Sequence, residues 1–143
     1  MLLLVLSALV TSSGASASRG PIEETLCPAQ VVVSERVTVV PKGWTVGRGE
    51  PDRKLSGVGF FLGPPDNLAA LVNDDELPAK EGSVAVWRFP TAKERYWIAC
   101  YYRGTTTTLR KPLPSGVGLC RVTYDKKLGN GEPAEMMSMS CER

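Results

Sequence analysis

The sequence predicts an all-β fold: a single antiparallel β-barrel or sandwich of about seven strands, with one short helical turn and two disulfides. Three observations carry this expectation. Valine- and aromatic-rich stretches of strand length recur along the chain, separated by clusters of Pro, Gly, Asn and Asp. Four cysteines occur without C-x-x-C spacing and without any histidine, which favours disulfides over a metal site. An Asn-Gly pair near the C-terminus aligns two of those cysteines across a hairpin.

The apolar run Leu2 to Val10 is followed by small and polar residues that include Ala15-Ser16-Ala17. That order predicts a cleavable signal peptide over 1–17, although no Lys or Arg precedes the apolar run. The run is too short to span a bilayer as a helix, which takes ~20 apolar residues. A flexible N-terminal segment over 18–26 and a single β domain over 27–143 are expected to follow. The net charge of +2 is spread over interspersed acids and bases, so neither nucleic acid nor a membrane surface is an expected partner.

Cys27, Cys100, Cys120 and Cys141 allow three pairings. Centring a tight turn on Asn130-Gly131 sets Cys120 opposite Cys141, Val122 opposite Met139 and Tyr124 opposite Met137. One face of this hairpin is then largely apolar, and the other, mostly polar, carries Arg121, Thr123, Asp125 and Lys127 against Ser140, Ser138, Met136 and Ala134. Turn chemistry, facial polarity and cysteine alignment agree on Cys120 with Cys141. Elimination leaves Cys27 with Cys100.

Upstream, Ala29 to Val40 (AQVVVSERVTVV) reads as a strand broken by Pro41-Lys42-Gly43, with Arg48 to Lys54 as a polar loop. Leu55 to Leu62 (LSGVGFFL) reads as the next strand. Its glycines lack phosphate-loop spacing and fit a bend or close packing. The helical turn is expected within Asn67 to Val72. Asn73-Asp74-Asp75-Glu76 is the densest carboxylate cluster, but it lacks the ligand alternation of a calcium loop and reads as a solvated turn. Ser83 to Phe89 and Arg95 to Arg103 are expected to form a hairpin around 90–94, with Trp87 facing Trp97 and Ala85 facing Ala99. Core packing is the ordinary role of such aromatics. The functional alternative is an exposed recognition platform of Trp87, Trp97 and Tyr101 flanked by Arg95 and Arg103. Thr105 to Leu109 suits a strand, and the Lys111 to Gly116 segment a loop.

The lack of histidine removes the usual bases of nucleophilic catalysis and histidine metal sites. No cofactor or metal is implied, and no catalytic residue is assigned. From Leu26 to Cys141 the order of landmarks resembles a family of small exported proteins of Gram-negative bacteria that brings no catalytic or binding residues with it. The landmarks are Leu26-Cys27-Pro28, Gly43-Trp44, Val58-Gly59-Phe60-Phe61 with Gly63-Pro64-Pro65, Trp97 to Tyr102, Leu109 to Pro114, Cys120 and Cys141. The resemblance implies periplasmic residence. The Tyr96 to Gly104 stretch and Ser115-Gly116 are also similar to the aromatic strand and inhibitory loop of periplasmic C-type lysozyme inhibitors. Val117-Gly118 departs from that pattern.

The expected function is therefore a non-catalytic binding module, periplasmic or secreted. Its partner is a protein of the periplasm or cell envelope, engaged through Trp87, Trp97, Tyr101 and Arg103 or through Ser115 and Gly116. Inhibition of a lysozyme-like hydrolase and immunity to a secreted toxin are its concrete forms. The alternatives are a carboxylate enzyme using Asp74, Asp75 or Glu76, and a structural envelope component.

Overall fold

The structure is a computed structural model that describes residues 20–22, 24–90 and 95–143. The expected signal peptide and residues 91–94 of the expected hairpin loop lie outside the described residues. Nine strands occur among the described residues rather than about seven. They are β1 (Gln30–Val32), β2 (Asp52–Leu62), β3 (Ala70–Leu71), β4 (Asp75–Pro78), β5 (Ser83–Arg88), β6 (Tyr96–Tyr102), β7 (Thr108–Pro112), β8 (Leu119–Tyr124) and β9 (Met136–Glu142). They form two antiparallel sheets. The first has the order β1-β2-β6-β7 with β3 also on β2, and the second the order β4-β5-β8-β9.

The expected hairpin of 83–89 with 95–103 does not form. β5 lies between β4 and β8, and β6 lies between β2 and β7. Both segments carry alternating apolar residues because each supplies an inner face, one from each sheet, and they meet across the core instead of edge to edge. Phe60 of β2 has its ring centroid 5.0 Å from that of Trp87 and 5.2 Å from that of Phe89, and Phe89 lies 5.1 Å from Tyr96. Around these rings pack Val58, Ile98, Cys100 and Tyr102 from the first sheet and Ala85, Cys120, Val122 and Tyr124 from the second.

Both disulfides join the expected partners, Cys27 with Cys100 and Cys120 with Cys141. Cys120 lies directly opposite Cys141, with Val122 opposite Met139 as expected. Their Cα atoms are 4.1 Å apart, the close spacing of a non-hydrogen-bonded pair. The tight Asn130-Gly131 turn is not made, however. A bulge after Thr123 sets Tyr124 opposite Met136 instead of Met137, and Asp125 donates its N–H to Glu135 at 3.0 Å to close a longer loop. The register holds because the staple and the buried face hold it.

The stretch read as flexible, 18–26, is described over 20–22 and 24–26, and these residues dock. The Ile22 N–H donates to the Cys141 carbonyl at 2.9 Å, and the Arg143 N–H donates to Gly20 at 3.2 Å. The chain then crosses to the first sheet, burying Leu26 and Cys27. There the Tyr102 hydroxyl donates to the Pro28 carbonyl at 3.1 Å, and the Leu55 N–H donates to Ala29 at 2.8 Å. This strap spans from the free edge of β9 to the end of β2.

Two further expectations are corrected. Of the valine-rich stretch 29–40 only Gln30–Val32 is strand, because β2 offers it just three paired positions. The helical turn is a single 3-10 turn, Pro65–Asn67, displaced from 67–72. Leu68 ends it in the left-handed conformation, and Ala70 and Leu71 are taken by pairing with β2.

Candidate functional site

The outer faces of the two sheets differ in chemistry. On the second sheet, strand alternation turns Arg88 and Asp75 outward as an ion pair at 2.6 Å, and Arg121 and Glu142 as another at 3.2 Å. On the first sheet the register stacks three outward rows: Phe61 beside Trp97 and Pro112, Gly59 beside Ala99 and Arg110, and Gly57 beside Tyr101 and Thr108. The outcome is an aromatic face bordered by Arg110.

Gly59 shapes that face. A Cβ placed on it would lie 2.7 Å from the Tyr101 hydroxyl and 3.1 Å from the Phe61 ring, so both rings converge over the glycine. Tyr101 remains 37 % exposed at the rim, whereas Phe61 and Ala99 are buried beneath. Burial raises the Tyr101 phenol above its ordinary value of 10.0 and the Arg110 cation partly opposes this, so the hydroxyl is neutral at physiological pH and can donate or accept. Arg110 is ion-paired to Asp66 of the 3-10 turn, which fixes the guanidinium at the border of the aromatic patch.

The structure brings together some of the residues expected from sequence and separates others. Trp97 and Tyr101 share this outer face. Trp87 does not. It lies in the core at 7 % exposed, and its indole N–H donates to the Leu71 carbonyl at 3.2 Å. Arg103 lies beyond the far end of β6, ion-paired to Glu135 at 2.5 Å. Ser115 and Gly116 are exposed in a turn closed from Val117 to Pro114, beside Arg143. That turn follows Leu113, whose N–H donates to Tyr96 at the other end of β6. A seven-residue strand spans about 20 Å, so Arg103 and Ser115-Gly116 do not converge on one site. Phe61, Gly59, Arg110 and Asp66 are not among the site residues expected from the sequence. The glycine alternation at 57 and 59 was their signal, since a strand that gives up side chains makes room for neighbouring rings.

The carboxylates of 74–76 are engaged by the fold. Asp74 accepts the Arg88 N–H at 2.6 Å, Asp75 pairs with the Arg88 guanidinium, and Glu76 accepts the Leu128 N–H at 2.9 Å. They tie β4 to β5 and to the 125–135 loop. Among the described residues no group of His, Cys, Asp and Glu is placed to hold a metal ion, and no helix is long and apolar enough to cross a membrane.

A stapled two-sheet β fold with one aromatic outer face has the build of a small binding protein. The family model of the type VI secretion system Tli immunity protein matches residues 49–142, which takes in β2 to β9, and the chain belongs to that family. It is thus a small bacterial immunity protein, and its partner is a protein, the secreted toxin. No curated protein and no solved structure matches the chain.

Proposed function

We propose that the chain is exported to the periplasm and neutralises its toxin there without catalysis, by binding it through the outer face of β2, β6 and β7. Family membership carries the immunity reading. Two disulfides and the signal-like residues 1–17 support an oxidising compartment. The absence of histidine and the engagement of Asp74, Asp75 and Glu76 in ties between strands support a non-catalytic mode. The aromatic rows of the first sheet, with Tyr101 exposed at their rim, support the choice of surface. Trp, Tyr and Arg, here Trp97, Tyr101 and Arg110, are the residue types in which binding energy concentrates.

The test is calorimetric titration of the purified chain with type VI secreted toxins from the same bacterium, with a C-type lysozyme in parallel. Toxin binding is expected, with Tyr101→Ala weakening it roughly 30-fold or more, the scale of an interface hot spot. Unchanged affinity in both Tyr101→Ala and Trp97→Ala would remove this face from the interface. Binding to lysozyme alone would favour the hydrolase-inhibitor alternative. Fractionation of cells, with the mass of the mature chain, tests export and cleavage after Ala17.

A further inference from the structure

Residues 33–51 leave the sheet as a long arm between β1 and β2. Its base is closed by the Val33 N–H donating to Pro51 at 3.0 Å, and its tip by the Trp44 N–H donating to Pro41 at 3.1 Å, with Gly43 at φ +89°. Between base and tip the two limbs make no backbone hydrogen bond to one another. They part around an open cleft of about 900 Å³ lined by Val33, Glu35, Val37, Val46, Arg48 and Arg53. Val32, Val37, Val39, Val40, Trp44 and Val46 are half of the large apolar side chains exposed among the described residues.

Such a sequence does not suit solvent. β-Branched residues fit a pleated, half-buried surface, and unpaired backbone beside exposed aliphatic groups is a template for another strand. Arg53 adds an unmet demand at the cleft. Its Nε–H is buried without a hydrogen-bond partner, although its guanidinium lies 3.6 Å from Glu35. The arm is also continuous with the proposed binding face, since the limb 45–51 runs straight into β2, which carries Gly57, Gly59 and Phe61.

We propose that the arm is a second contact with the toxin, in which an extended toxin segment enters the cleft, pairs its backbone with the free limbs and sets an acceptor against Arg53 Nε. The inference rests on the immunity reading above and assigns the arm to discrimination of one toxin from others. Main-chain pairing supplies affinity, while Val37, Val46 and Trp44 read the side chains of the incoming segment.

The experiment is hydrogen exchange of the whole chain, free and bound to the toxin identified by the titration above, alongside affinity of the double variant Val37→Lys/Val46→Lys. Both sites are exposed, so the variant keeps the fold. Amides of 34–40 and 45–50 are expected to exchange rapidly in the free chain and to slow about tenfold or more in the complex. The double variant is expected to bind roughly 30- to 100-fold more weakly, as burial of two valine side chains implies. Wild-type binding with unprotected arm amides and an unaffected double variant would overturn the arm proposal and leave the immunity reading standing. A chain that does not bind the toxin at all would overturn both. A dimer of this chain that the same variant dissolves would give the arm to a second copy and refute the toxin contact.

Discussion

Removing each disulfide in turn should destabilise the domain by different amounts, with the longer loop dominating. Cys27 and Cys100 are 73 residues apart, and Cys120 and Cys141 are 21 apart. In the chain-entropy description these closures contribute about 4.4 and about 3.3 kcal/mol at room temperature. The sulfurs do not confuse the comparison, because all four cysteines are buried to a similar degree, so packing losses on truncation largely cancel. Cys27→Ala/Cys100→Ala should therefore be about 1 kcal/mol less stable than Cys120→Ala/Cys141→Ala. Either loss is a large part of the 5–15 kcal/mol that holds a typical domain together. Urea unfolding followed by tryptophan fluorescence gives both quantities. The midpoint should fall further in the 27–100 variant, and the slope should rise in both because an uncrosslinked unfolded chain exposes more surface. The reverse order of midpoints, or slopes equal to the wild type, would refute the entropic reasoning and point to native-state packing by the strap instead.

Two other outcomes follow from the site and the core. Gly59→Ala should push the Tyr101 hydroxyl from its place at 2.7 Å, costing about 1 kcal/mol as over-packing does; an unchanged thermal midpoint would mean that the ring moves freely. Burial raises the phenols of Tyr101, Tyr102 and Tyr124 above 10.0. The folded state then holds those protons to higher pH than the unfolded state does. Stability from this source is complete below pH 10 and declines as pH climbs through the folded values. Urea midpoints measured alongside tyrosinate absorbance check this, and a midpoint that is flat across the tyrosine titration would contradict it.

How much of this was legible in the sequence depended on whether neighbours in the chain were neighbours in space. The Cys120–Cys141 register could be read because two faces of opposite polarity and two cysteines leave a single alignment. The Asn130-Gly131 turn that suggested it is not formed, since Gly129 and Gly131 take positive φ while Asn130 does not. For 83–89 and 95–103 the same style of argument failed. A strand that packs on a facing sheet and one that pairs beside it show the same apolar alternation, and a short connection serves either. The valines of 31–40 have strand propensity in full, but propensity does not say whether a partner strand exists within the same chain. In the candidate site, Trp97 and Tyr101 were visible as residue types. Their separation from Trp87 followed from β6 lying in the opposite sheet, and the part of Gly59 became visible only through the rings that lean over it.

The two bridges have an order as well as a position. Counted from the N-terminus, Cys27 is joined to the next cysteine in line, Cys100, and Cys120 to the next, Cys141. For a chain that emerges N-terminus first, pairing each thiol with the first partner to arrive is already the native connectivity. Cys27 is the member of the strap, so it waits through β1 to β5 until β6 appears, and the last bridge closes only when the final strand is delivered. With export into an oxidising compartment as proposed above, oxidation can proceed in step with emergence and needs no reshuffling of a wrong bridge.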